Sequence, residues 1–130
     1  MRIHFHADMP RTRVVFYKDD DGSVPMLEWL DALSPRARVK CRTRLERLKA
    51  LGHELRRPEA DLLRDGIHEL RASLQGTHYR MLYFFHSNQA IVVSHGLTKE
   101  SMVPPVEIER AIARKTRFLR DPARHIGTEA

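Results

Sequence analysis

The apolar positions of the chain change their period along its length. Near the start, "RVVFYKD" (Arg13–Asp19) concentrates β-branched and aromatic residues, the content of a short strand. The turn cluster "DDDGS" (Asp19–Ser23) follows it. From Val24 to Leu33 the spacing is helical: Met26, Leu27, Trp29, Leu30 and Leu33 share one face, and Pro25 stands in the first turn. A second helix is predicted with Ser34 as N-cap, Pro35 as its first residue and Gly52 as its stop. Ala37, Cys41, Leu45 and Leu48 form its buried stripe. After a polar connection (His53–Asp61) the period becomes two. "IHELRASL" (Ile67–Leu74) puts Leu70, Ala72 and Leu74 on one face and Ile67, Glu69 and Arg71 on the other. "QGT" is a turn, "HYRMLYFFHS" a second strand, "SNQ" another turn and "AIVVSHG" a third strand. The last periodic segment, Pro104–Asp121, is a helix with Ile108, Ala111, Ile112 and Leu119 as its stripe.

The predicted order is β-α-α-β-β-β-α. Three strands joined by short turns make an antiparallel meander. The expected fold is therefore α+β, with a helical hairpin on one face of a mostly antiparallel four-stranded sheet. Trp29, Leu30, Leu45, Leu48, Leu70, Leu82 and Val92 are expected in its core. Residues 1–11 read as a flexible leader and 121–130 as a flexible tail, leaving one domain at 12–120.

Composition narrows the function classes. The single cysteine, Cys41, excludes an internal disulfide and fits a reducing compartment. There is no apolar run of about 18 residues and no signal-peptide core, so a cytoplasmic protein without membrane attachment is expected. Twenty-three Lys and Arg against 17 Asp and Glu give a net charge of +6. A basic domain of this size suits a polyanion such as RNA, DNA or an acidic partner. Much of that charge lies on the second helix, where Arg36, Arg38, Lys40, Arg42 and Arg44 are candidate RNA-binding residues. The same run also reads as a solvated helix face.

The sequence carries no CxxC, HExxH, Walker loop, G-x-S-x-G or G-x-G-x-x-G, and no cofactor or metal framework. His4 and His6 fall in the leader. Cys41, on an apolar stripe, reads as a small core residue. What remains is a set of cations on the strands: Arg71, Arg80, and Lys99 where the chain leaves the last strand. Adjacent antiparallel strands converge such residues on one patch. Arginine forks bind phosphate bidentately and lysine adds a point charge. The competing reading pairs Arg71 with Asp65 or Glu69 and lets Arg80 reach an edge.

The run "LLRDGIHELRASLQGTHYRMLYFFHSNQAIVVSHGLTKES" resembles the phage-derived branch of the RelE/HigB-like toxins of bacterial toxin–antitoxin systems. The resemblance rests on Gly66, Ile67, Glu69, Leu70 and Arg71, on Tyr79, Arg80 and Tyr83, and on His95, Gly96 and Lys99. It covers roughly residues 12–120 and includes the helices "VPMLEWLDAL" and "IERAIARKTRFL". It implies a RelE-like fold and ribosome-dependent cleavage of mRNA without a metal, the 2′-hydroxyl attacking the adjacent phosphate while basic residues stabilise its charge. Arg71, Arg80 and Lys99 then match the basic catalytic residues. His95 is either a general acid or base or a strand histidine satisfied by a neighbour. The implied partners are the ribosome and mRNA, a cognate helix-turn-helix antitoxin, and operator DNA only through the antitoxin complex. Leu97 and Glu100 depart from the family pattern, which has Phe and Lys there. The alternative is a non-catalytic module on the same fold that binds nucleic acid or an antitoxin.

Overall fold

The computed structural model describes residues 12–88, 90–98 and 101–130. The expected leader with His4 and His6, and also Lys99 and Glu100, lie outside the described residues. Strand β1 (Val14–Tyr17) leads into helices α1 (Pro25–Ala32) and α2 (Pro35–Leu51) and a 3-10 turn (Gly52–Glu54). Strands β2 (Ala60–Arg64), β3 (Ile67–Leu74), β4 (Thr77–His86) and β5 (Ala90–Thr98) follow. Helices α3 (Pro105–Arg120) and α4 (Pro122–His125) and strand β6 (Ile126–Glu129) complete the chain. The helix signals act as expected: the Ser34 hydroxyl accepts from the Ala37 amide at 3.3 Å, and Gly52 closes α2 with a positive φ.

The fold is α+β, but the sheet has six strands, in the order β2-β3-β4-β5-β1-β6, rather than four. Only β1 and β5 are parallel. Strand β2 begins at the end of what reads as a polar connection (His53–Asp61) and runs on to Arg64. With the sequence ADLLR it has little intrinsic strand character and forms because its backbone pairs with β3, Ala60 opposite Leu70. The segment 121–130, expected as a flexible tail, is ordered. Helix α3 stops at Asp121 before Pro122, and β6 pairs with the outer edge of β1. His125 is buried there. Its ring stacks on Tyr17 at 5.2 Å, and its Nδ1 donates to the Lys18 carbonyl at 2.8 Å.

Both faces of the sheet are covered. The hairpin α1–α2 packs Met26, Leu30, Cys41 and Leu45 on Phe16, Leu70, Met81 and Val93. Helix α3 packs Ile108, Ala111 and Phe118 on Val15, Leu82, Phe84 and Val92. The second face is therefore mostly core and not an open platform of cations. Polar side chains on that face include Glu69, Arg71 and Arg80 at the β3–β4 end, His95 under the first turn of α3, and His86 against Phe118 in its last turn. Of the expected core, Leu30, Leu45, Leu48, Leu70, Leu82 and Val92 are buried, whereas Trp29 is only partly buried. Its indole lies over Gly96, where an added Cβ would come within 2.2 Å of the ring. The glycine of the "HG" pair is thus required by close approach.

Candidate functional site

The β3–β4 turn sets the register of the site. Gln75 and Gly76 both have positive φ (51° and 83°), the geometry of a two-residue hairpin turn. That turn places Leu74 opposite Thr77, Ser73 opposite His78, and Arg71 opposite Arg80. Glu69 lies two residues before Arg71 and so shares its face. Strand β2 pairs with β3 as far as Leu70 and the Arg71 amide still donates to the Glu59 carbonyl at 2.8 Å, which leaves the Ala72–Leu74 end of β3 open at the sheet edge.

A cleft of about 580 Å3 occupies this end. Arg71, Arg80 and Glu69 line it together with Ser73, His78, Arg44, Glu59, Ser101 and Met102. Glu69 is 4 % exposed. A carboxylate buried that deeply needs compensation, and both arginines supply it. Arg80 Nη1 donates to Glu69 Oε1 at 2.6 Å, and Arg71 Nη2 donates to Glu69 Oε2 at 2.9 Å. Arg71 Nη2 also reaches Asp61 Oδ2 at 3.3 Å. The competing reading of Arg71 as a paired residue is therefore met through Glu69, while Asp65 pairs with Arg64. The Nε atoms of Arg71 and Arg80 are buried without an acceptor. Each guanidinium is thus held from one side by Glu69 with part of its donor set unused.

The remaining sequence candidates separate. His95 is buried on the same face but does not line the cleft. It pairs across the sheet with Leu82, whereas Arg80 pairs with Leu97. Its Nε2 lies 2.9 Å from Glu107 Oε1 and its Nδ1 2.8 Å from Ser94 Oγ. A carboxylate only accepts, so Nε2 carries the proton and Nδ1 accepts from the serine. Burial lowers the imidazole pKa, against the opposing pull of Glu107. His95 is thereby a neutral tie between β5 and the first turn of α3, with Arg114 Nη1 donating to Ser94 Oγ at 3.4 Å behind it.

The basic helix divides as well. Arg38 turns back on α1 and donates to the carbonyls of Leu30, Asp31 and Leu33 at 3.0, 3.2 and 2.9 Å. Those are carbonyls at the C-terminal end of α1, of which that of Leu30 also accepts from the Leu33 amide at 3.1 Å. Arg44 reaches the cleft and is bound to Glu59. Arg47 binds Glu59 in bidentate fashion at 2.9 and 2.7 Å, and together these arginines hold the Glu59 carboxyl down at about 2. Arg36, Lys40 and Arg42 stay on the exposed face of α2.

The cleft also contains residues not read as functional from the sequence. Glu69 had a usable signal, since its two-residue offset from Arg71 puts carboxylate and guanidinium on one face. His78 follows from the turn register. Ser101 and Met102 carried no local signal, because they reach the cleft only through the tertiary path after β5. Among the described residues no cluster of three His, Cys, Asp or Glu side chains is placed to hold a metal ion, and no helix is long and apolar enough to cross a membrane.

Residues 28–116, more than half of the chain, match the family of phage-derived Gp49-like proteins (DUF891). The chain belongs to the Gp49-like family. The matched span holds Glu69, Arg71, Arg80, His78 and His95, and it stops before the α4–β6 segment that closes the β1 edge of this Gp49-like protein. No curated protein matches the chain.

Proposed function

We propose that this Gp49-like protein is the toxin of a toxin–antitoxin pair, and that it cleaves mRNA on the ribosome without a metal. The observation that supports this most is the opposition of Arg71 and Arg80 across β3–β4 in one cleft, with Glu69 fixing both forks. The 2′-hydroxyl of the RNA attacks the adjacent phosphate, and the 5′-oxygen leaves. The terminal nitrogens not held by Glu69, Arg71 Nη1 and Arg80 Nη2, meet the phosphate oxygens as their charge grows. Arg80, only 14 % exposed, acts where water screens least. Lys99 adds a third cation in this reading, and His78 is the imidazole at the cleft able to exchange a proton. Aligning the hydroxyl opposite the leaving oxygen is the ribosome's part, worth about 7–11 kcal/mol of barrier. A helix-turn-helix antitoxin masks the cleft in the uninduced cell and carries the complex to operator DNA, and the toxin acts in the cytoplasm.

One observation favours a second reading. Glu69 stands between the two arginines and offsets their charge, as suits a non-catalytic module that binds nucleic acid or an antitoxin. A translating extract separates the two. The wild-type chain is expected to cut mRNA there and to leave naked RNA intact. Arg80→Ala should lower the cleavage rate about 100- to 1000-fold, the effect of removing one preorganised donor, with a much smaller loss in RNA binding. Salt-sensitive RNA binding without cleavage products supports the module, and efficient cutting of naked RNA refutes the ribosome requirement.

A further inference from the structure

A second hollow, of about 480 Å3, lies across the segment 56–61 from the cleft. His53, Arg56, Arg57, Asp61, Leu62 and His68 line it, while Pro58 and Glu59 of the same segment line the cleft. Asp61 joins the two sites: it binds Arg57 at 2.9 Å on the hollow side and Arg71 at 3.3 Å on the cleft side. The hollow is built on stacked rings. His53 lies on Phe85 with centroids 3.7 Å apart and planes 12° apart. His68 stacks on Tyr83 at 5.2 Å and meets Phe85 edge-on at 5.0 Å.

These rings differ from an ordinary core cluster in their polar atoms. Among the described residues neither imidazole has a hydrogen-bond partner, and neither does the Arg56 guanidinium. His53 is exposed, so the ring face turned away from Phe85 is open to solvent. The site therefore offers a flat aromatic surface, unpaired ring nitrogens beside it and a cation at its rim. Unstacked RNA bases are recognised by this combination of stacking, edge hydrogen bonds and a backbone contact. Burial lowers the His68 pKa, which favours a neutral imidazole able to donate and accept.

We propose that this hollow is a nucleobase subsite for single-stranded RNA, the base stacking on the His53–Phe85 pair, its edge meeting His68, and its phosphate meeting Arg56. This rests on the RNA reading of the cleft and assigns to a flanking nucleotide a place across the segment 56–61 from the phosphate held by Arg71 and Arg80. An acidic peptide is the competing occupant. It would use Arg56 and Arg57 but gain little from flat rings with unpaired nitrogens.

The test compares a short oligoadenylate with an abasic oligomer carrying the same phosphates, both titrated into the full chain. Imidazole proton resonances of His53 and His68 report the contact, and fluorescence anisotropy of labelled oligomer gives Kd. The oligoadenylate is expected to shift both histidine resonances and the abasic oligomer neither. His53→Ala should weaken oligoadenylate about 5- to 150-fold, the span one stacked base is worth, and leave the abasic oligomer unchanged. His53→Phe, which keeps the ring, should restore most of the loss. Equal binding of both oligomers, or equal weakening of both by His53→Ala, overturns the subsite and leaves a purely electrostatic surface of the kind an acidic peptide would use. The nuclease reading stands or falls separately. Base-dependent binding without cleavage in the translating extract removes the nuclease alone, and cleavage without base dependence removes the subsite alone.

Discussion

Replacing Glu69 with Gln removes one negative charge from between Arg71 and Arg80 and preserves size and one acceptor oxygen. The magnitude follows from the burial of the trio. Glu69 is 4 % exposed and the Arg80 side chain 14 %, and the Glu69–Arg80 contact is 2.6 Å. Two unit charges about 4 Å apart at an effective dielectric constant near 20 interact by about 4 kcal/mol. Removing one partner of a buried pair costs about 3–5 kcal/mol. Three features reduce this here: the Gln carbonyl still accepts, Arg71 keeps Asp61, and Arg71 is 35 % exposed and partly hydrated. A loss of about 2–3 kcal/mol is expected. The assay is urea unfolding followed by the fluorescence of Trp29, the single tryptophan. With a slope of about 1–3 kcal/mol per molar urea, the midpoint should fall by roughly 0.7–3 M. The same variant frees positive charge at the cleft, so affinity for single-stranded RNA should rise. The slope of log K against log salt should steepen by about 0.7 for the one additional phosphate engaged. A variant as stable as the wild type, or one whose stability and RNA affinity fall together, would refute the view of Glu69 as a counter-charge that restrains the arginines.

Gly96→Ala should cost about 1–3 kcal/mol through overpacking against Trp29, and most of that cost should vanish in a Trp29→Ala background, as a double-mutant cycle in urea would measure. Both His68 and His95 have folded pKa values lowered from 6.5, so the unfolded chain binds more protons, and stability should fall as pH drops from above 6.5 toward those folded values. A His68→Gln/His95→Gln double variant should show a flatter urea midpoint across that interval. Glu59, held at about 2 by Arg47 and Arg44, adds a further loss of stability between about pH 4.5 and about 2, which Glu59→Gln should remove. Burial raises the Cys41 thiol to about 11, so a thiol reagent should label the native protein only as fast as it opens, and labelling in the absence of urea as fast as in the unfolded chain would contradict the packing of α2.

The sequence alone determined the elements whose signals are local. Ser34 and Gly52 bound α2 because caps act within one turn, and "QGT" showed a turn between β3 and β4, although only the structure shortens it to Gln75–Gly76 and so sets Arg71 opposite Arg80. The alternation of β3 likewise put Glu69 on the same face as Arg71. What the sequence could not determine depends on pairing and packing between distant segments. Strand β2 and the β6 edge exist through backbone pairing with β3 and β1, which their own residues do not announce. Burial of the second sheet face depends on where α3 returns, and that return also covers His95 with Glu107 and removes it from the cleft. The basic run of α2 shows charge in the sequence but not direction. Tertiary packing turned Arg38 onto the end of α1 and Arg44 onto Glu59, leaving Arg36, Lys40 and Arg42 in solvent. The counter-charge at the heart of the site is the clearest case. Period two shows that Glu69 and Arg71 share a face, but only the depth of the sheet decides that the carboxylate is buried, and a buried carboxylate must capture both guanidiniums.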